Sequence, residues 1–213
     1  MATVLITAGP TREHLDEVRF LANGSSGRMG YALAAAARDA GHHVVLISGP
    51  TELTPPEGVD LVRVISAEDL LQAVLKALPH ADAAFAVAAV ADWRPKERLA
   101  GKPPKAARSL TLELVPTPDV LAEMGRRKEG RVLVGFALES GTVDEALARG
   151  RAKLEAKNLD LIVVNRVAAI GAEETEAWLV FADGHVRTLP RMSKSDLAAV
   201  IVRAAHVPEG RHR

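Results

Sequence analysis

Short apolar runs alternate with stretches of helical period through the first two thirds of the chain. Val4–Thr7 reads as a strand, Gly30–Ala40 as a helix with a small-residue face of alanines and Leu33, and Val44–Ser48 as a second strand. Gly41 stands where a helix C-terminal glycine belongs. Leu61–Ile65 is a third strand, Ala67–Leu78 a helix and Ala83–Val87 a fourth strand. Arg131–Gly135 and Leu159–Asn165 are two more, with the charged helix Thr142–Ala156 between them. The strands are continuously apolar rather than alternating, as expected of a parallel sheet buried on both faces.

The last quarter changes character. Ala177–Ala182 and His185–Leu189 flank Asp183-Gly184, which suits a two-residue hairpin turn. Ser195–Ala205 closes as a helix, with Ser193 or Ser195 as its cap. The predicted fold is therefore α/β: a Rossmann-like, mostly parallel sheet with helices on both faces and a C-terminal β-hairpin at about 177–189. Residues 1–213 read as a single domain. Two stretches, Pro10–Ser26 and Ala91–Ser109, read as loops too long to be mere connections, and long ordered loops are often functional.

Composition narrows the chemistry. Acidic and basic residues balance at 27 each, which argues against a nucleic-acid or membrane-surface role. With aromatics at 3%, aliphatic residues and alanine must fill the core. The lack of cysteine excludes a disulfide scaffold, a thiolate metal site and a cysteine nucleophile, and fits a cytoplasmic protein. The start MATVLITAGP has no signal-peptide pattern, and no apolar run reaches the roughly 18 residues of a membrane span. The histidines lack zinc-protease spacing, and no metal-ligating protein residue is expected.

The first strand runs into Thr7-Ala8-Gly9-Pro10-Thr11, and the first helix follows Asn23-Gly24-Ser25-Ser26-Gly27-Arg28-Met29-Gly30. Glycines and small hydroxyls at a helix N-terminus let backbone N–H groups meet an anion. Equally, Ser25 or Ser26 could only cap the helix while the glycines only make turns. Three familiar nucleotide signatures fail. There is no G-x-x-x-x-G-K-[ST], no G-x-G-x-x-G directly after the first strand, and no acidic residue ending the second strand at Ile47-Ser48-Gly49-Pro50. Tyr31 has Ala35 four positions on, so a reductase Tyr-x-x-x-Lys pair is missing too. An NAD(P)-dependent oxidoreductase is the alternative on fold grounds, without its chemistry.

Several segments combine: Val18–Asn23 with Ser25–Gly30, Ala88-Ala89-Val90-Ala91-Asp92-Trp93-Arg94-Pro95, Gly101-Lys102-Pro103-Pro104-Lys105, Leu114–Leu121, Val134–Ala137 and Lys157–Asp160. Their order and spacing, from about Val4 to about Leu189, resemble the phosphopantothenate–cysteine ligase family. The resemblance implies that Gly9, Gly27 and Gly30, with Ser25 and Ser26, hold nucleotide phosphates. Asn23, Ala88, Ala89 and Asp92 would contact 4′-phosphopantothenate, and Arg19 would reach that substrate across a homodimer interface. Further nucleotide contacts would come from Ala86, Val87, Ala88, Asp92, Lys102, Pro118, Asp119, Val120, Leu121, Phe136, Lys153, Lys157 and Asn165. Asn23 and Lys102 would be catalytic, with Lys102 on a flap at about 93–109. The family flap usually reads Lys-x-Lys-Lys, whereas this chain reads Lys102-Pro103-Pro104-Lys105, so a slipped register would make Lys105 the flap lysine.

The implied reaction joins 4′-phosphopantothenate to L-cysteine, with CTP as co-substrate and Mg²⁺ on its phosphates. Bacterial members use CTP and eukaryotic ones generally ATP. Many bacterial members also carry a flavin decarboxylase domain, so the chain is expected to be a free-standing ligase or an excised domain. A non-catalytic nucleotide-binding module is a second alternative. The chemistry itself is plain. A carboxylate is a poor electrophile until its oxygen is transferred to a nucleotide α-phosphate, and the charge that then builds up calls for cations and oriented N–H donors rather than a covalent nucleophile.

Overall fold

The computed structural model describes residues 1–102, 110–167 and 174–208. Eight strands form one sheet, and its six parallel members come first along the chain: β1 (Thr3–Ala8), β4 (His43–Ser48), β5 (Asp60–Arg63), β6 (Ala83–Ala86), β9 (Val132–Glu139) and β10 (Leu161–Arg166). Two antiparallel strands, β11 (Glu174–Phe181) and β12 (Val186–Ser193), extend the β10 edge, so the spatial order is β12-β11-β10-β9-β6-β1-β4-β5. This is a Rossmann-like α/β fold.

The strand residues explain the layering. Val4, Ile6 and Ala8 of β1, Leu161 and Val163 of β10, and Ala177 and Leu179 of β11 pack toward α1 (Arg28–Asp39) and α5 (Lys194–Ala204). Leu5, Ile162, Val164, Trp178 and Val180 point the other way, toward α2 (Ala67–Ala77), α3 (Val120–Arg126) and α4 (Val143–Ala156). Successive strand side chains face opposite sides, so continuous apolar runs supply both cores at once. Fully buried side chains are almost all aliphatic, with Phe85 the aromatic exception among the largest. Capping boxes start two of the helices: Ser66 with Asp69 on α2, and Thr142 with Glu145 on α4.

The structure corrects several expectations. Pro10–Ser26 is not a plain loop, because β2 (Arg12–His14) and β3 (Phe20–Ala22) pair antiparallel within it. Ala91–Ser109 contributes β7 (Trp93–Pro95), which pairs with β8 (Leu114–Pro116), while 103–109 lie outside the described residues. Three-residue strands give too short a period to read from sequence. The segment after Asp119 folds into α3, which sequence patterning did not separate from its surroundings. The hairpin turn is a three-residue loop: Gly184 donates to the Phe181 carbonyl at 3.0 Å, the Phe181 amide bonds His185 at 2.9 Å, and Gly184 alone is left-handed, at φ 87°. That is a tight turn with a glycine bulge, not the two-residue type in which both central residues need positive φ. Ser193, rather than Ser195, caps α5 by accepting from the Asp196 amide.

Candidate active site

The order in which strands are added reverses between the parallel neighbours β1 and β6. From β1 the sheet grows one way through β4 and β5 and the other way through β6 and β9. The crevice beyond the carboxyl ends of strands at such a switch point is where open α/β sheets bind ligands. Gly9 and Val87 leave the sheet here side by side, and a bridge between Pro10 and Ala89 continues the pairing past the strand ends.

Three threonines shape this edge. Thr7 Oγ1 accepts from the amides of Val87 and Ala88, both at 3.1 Å. Thr11 Oγ1 accepts from the Ala91 amide at 2.9 Å, and Thr117 Oγ1 donates to the Ala91 carbonyl at 2.5 Å. The Thr117 amide adds a bond to the Asp92 carbonyl at 3.0 Å. The 87–92 segment is thus held on one side by β1 and its exit and on the other by the strand leading to α3. Asn23 closes the group, donating its side-chain amide to the Val90 carbonyl at 2.8 Å. Ala86, Val87, Ala88 and Ala89 are half-buried along this segment, and the Asp92 carboxylate is exposed. None of the three threonines was among the residues expected at the site; a lone hydroxyl on a strand gives no sequence signal until its partner strand is known.

Backbone proximity explains the glycines. Gly9 and Gly27 both have positive φ, at 73° and 77°, and a Cβ on either would lie 2.8 Å from Thr51 Cγ2. A Cβ on Gly30 would lie 2.5 Å from that of Ala8, so this glycine lets α1 press directly on β1. Gly27 is the N-cap of α1 and has no side chain to satisfy the first-turn amides. Ser25 Oγ accepts from the Gly27 amide at 3.3 Å and Ser26 Oγ from the Arg28 amide at 3.5 Å, long local bonds that leave neither serine as the N-cap residue. The start of α1 therefore presents amides at the switch point, the arrangement that favours an anion.

A second cluster lies where α3 meets the end of α4. Asp119 caps α3 by accepting from the Ala122 amide at 2.9 Å and also pairs with Lys157, while Lys153 Nζ donates to the Phe136 carbonyl at 3.1 Å. Burial raises the Asp119 carboxyl, but the bonds from Lys157 and Ala122 and the charge of Lys153 outweigh it and hold the group below its ordinary value. Gly125 makes the closeness possible, since a Cβ there would sit 2.0 Å from the Lys157 carbonyl. Pro118, Val120 and Leu121 complete this corner, with Leu121 reaching Gly135. Asn165 stands apart: its amide bonds the Glu176 carbonyl of β11 at 3.1 Å, at the bulge between Thr175 and Ala177.

The Glu17 and Leu99 amides bond Gly101 and Leu15 carbonyls, at 3.4 and 2.8 Å, so the 99–101 stretch docks on the turn after β2. Lys102 follows it, exposed and without a hydrogen bond or ion pair to a described residue; Lys105 lies outside the described residues. Arg19 is held by Asp16, through Nε at 2.6 Å and Nη2 at 2.5 Å. The Asp16 side chain is fully buried and also accepts the Val18 and Arg19 amides, and those bonds lower its pKa to about 2.

Sheet order, switch-point glycines and a polar edge threaded by threonines define the class: a Rossmann-like α/β domain with its switch point between β1 and β6. The chain belongs to the DNA/pantothenate metabolism flavoprotein C-terminal domain family, which it matches over residues 1–207. It is 47% identical over 204 residues to the coenzyme A biosynthesis bifunctional protein CoaBC of Bacillus subtilis (strain 168), covering 93% of this chain and 50% of that protein. The chain thus spans about half the length of the curated relatives it matches. Among solved structures, the C-terminal domain of a CoaBC protein superposes with a TM-score of 0.81 at 39% identity, covering 95% of this chain and 93% of that one. A Cab2 variant in complex with phosphopantothenate-cysteine shares the fold, with a TM-score of 0.78 at 19% identity over 96% of this chain and 86% of that one.

Proposed function

We propose that this chain ligates 4′-phosphopantothenate to L-cysteine, first forming an acyl-cytidylate from CTP with release of pyrophosphate and then releasing CMP as the cysteine amine attacks. The observation that carries the reading is the hydrogen-bonded edge at the switch point, in a chain whose relatives at this identity are coenzyme A biosynthesis proteins. In this reading the α1 amides at Gly27–Gly30 and the glycine at position 9 cradle the phosphates. Ala88, Ala89 and Asp92 line the pantothenate side, and Lys102 swings in to neutralise the phosphate oxygens. Asn23 offers an uncharged amide to the acyl oxygen. The Asp119, Phe136, Lys153 and Lys157 corner serves the nucleotide base and ribose, while the engagement of Asn165 with β11 favours a structural duty there.

Among the described residues no group of three His, Asp or Glu could hold a metal ion. Mg²⁺ arriving with the nucleotide would supply charge neutralisation in this reading, and Asp92 is an exposed carboxylate at the same edge that would be available to it. A homodimer is supported by Val18, Phe20, Trp93 and Leu114, large apolar side chains exposed on the β2–β3 and β7–β8 ribbons and their turns. No helix of the described residues is long and apolar enough to cross a membrane.

Pyrophosphate release measured with phosphopantothenate and cysteine, separately with CTP and ATP, tests the proposal. Release that needs both acceptor substrates and runs faster with CTP is expected. Nucleotide binding without substrate-dependent release would leave only a binding module, and equal kcat/KM for the two nucleotides would remove the CTP assignment.

A further inference from the structure

A cavity of about 370 Å³ opens between the first turns of α1 and α5 and the loop after β4. Arg28, Thr54, Lys194 and Ser195 give it a polar wall, and Ala32 and Leu53 an apolar one. Among the described residues no aspartate or glutamate lines it. The side chains of Arg28 and Lys194 make no hydrogen bond or ion pair with any described residue. The nearby carboxylate of Asp196 is taken by Ser193, whose hydroxyl donates to it at 2.7 Å.

Arg28 is exposed and Lys194 half-buried at the mouth of this cavity. Desolvation of Lys194 and the Arg28 charge both disfavour its ammonium form. Two cations facing one concavity without a carboxylate are relieved by an anion able to accept from both, and phosphate oxygens do this with charge-assisted hydrogen bonds. Thr54 and Ser195 add hydroxyl donors, and the apolar wall has room for a small organic group.

We propose that this cavity is a second binding site, specific for a dianionic phosphate monoester with a small apolar portion. Its occupancy reaches the phosphate turn through Tyr31, which lines the cavity and whose hydroxyl bonds Ser48 at 3.1 Å and Thr51 at 3.3 Å. Thr51 in turn fills the space over Gly9 and Gly27. This coupling rests on the nucleotide role proposed for those glycines; the binding site does not.

The test is a titration of the isotopically labelled chain with phenyl phosphate, at ionic strength held constant with chloride, read by amide chemical shifts. Saturable shifts at Ala32, Thr54 and Ser195 are expected. Lys194→Gln and, independently, Arg28→Gln should each weaken binding about tenfold, the loss of one charge-assisted bond, while Lys194→Arg retains it. Turnover of Lys194→Gln without phenyl phosphate should equal that of the unaltered chain. Shifts that fail to saturate, that persist unchanged in both glutamine variants, or that are confined to Gly9 and Gly27 overturn the site. An inactive unaltered chain would sink the ligase reading and leave the titration standing.

Discussion

Asn23 donates its side-chain amide to the carbonyl of Val90, 2.8 Å away and 67 positions further along the chain. The bond joins the turn before α1 to the segment that leaves β6, so the residue expected to meet the acyl group also ties the two halves of the site together. A carboxylate at this position would face a carbonyl oxygen. Asn23→Asp is therefore expected to lose about 1 kcal/mol of stability from the missing bond and at least about 10²-fold in kcat. Asn23→Ala should lose similar stability. Urea unfolding with pyrophosphate-release kinetics separates the effects, and a nearly fully active Asn23→Asp would leave Asn23 a tether only.

Lys102 is exposed and unpaired among the described residues. Exposed charges contribute about 0–1 kcal/mol, so Lys102→Gln should melt with the unaltered chain and yet lose most of its turnover. If Lys102→Gln keeps its kcat and Lys105→Gln loses it, the flap lysine is the second one.

Asp119 both caps α3 and pairs with Lys157. Asparagine is as good a cap as aspartate, whereas alanine is not, so Asp119→Ala should cost about 1 kcal/mol more than Asp119→Asn. Both substitutions release Lys157 and should raise the KM for nucleotide. Equal unfolding midpoints for the two variants would show that the cap contributes nothing here.

Gly30 faces Ala8 with no room for a Cβ. Gly30→Ala should overpack the α1–β1 contact and cost about 1–3 kcal/mol. Combining it with Ala8→Gly returns the missing volume, so the double variant should recover part of that loss in denaturant unfolding. Additive losses would mean that the helix simply shifts outward.

Asp16 has a folded pKa near 2, below its ordinary 3.8. A lowered carboxyl contributes stability that is fully present above the ordinary value and is lost as pH falls toward the folded one. The Tm of the unaltered chain should therefore drop more steeply between pH 4 and pH 2 than that of Asp16→Asn, with the two curves converging at the acid end. Parallel curves would show that Asp16 keeps the same pKa on unfolding.

Local chemistry was enough to read the long elements. Val4–Thr7, Val44–Ser48 and Ala83–Val87 are apolar on both faces, and Gly41 and Thr142 stand at helix ends, so their strands and helices follow from patterning and capping that act within a few residues. The glycines at 9, 27 and 30 stood out as turn and close-contact positions for the same reason, and the structure gives Gly9 and Gly27 positive φ and leaves Gly30 no room for a Cβ. The short ribbons β2–β3 and β7–β8 were not, because three residues carry no period and pair only through partners supplied by the rest of the fold. The helix α3 was hidden likewise, since its packing depends on Gly125 meeting the Lys157 carbonyl.

The sequence by itself determined which residues could do chemistry, because side-chain type and spacing along the backbone are local properties. Only the tertiary structure decided which of them meet. Thr7, Thr11 and Thr117 gather the 87–92 segment from 81, 80 and 26 positions away, Asp16 takes the guanidinium of Arg19, and Asn165 turns to β11. Such pairings are set by strand order and close backbone approach, and these become defined only when the whole sheet is buried between its two helical layers.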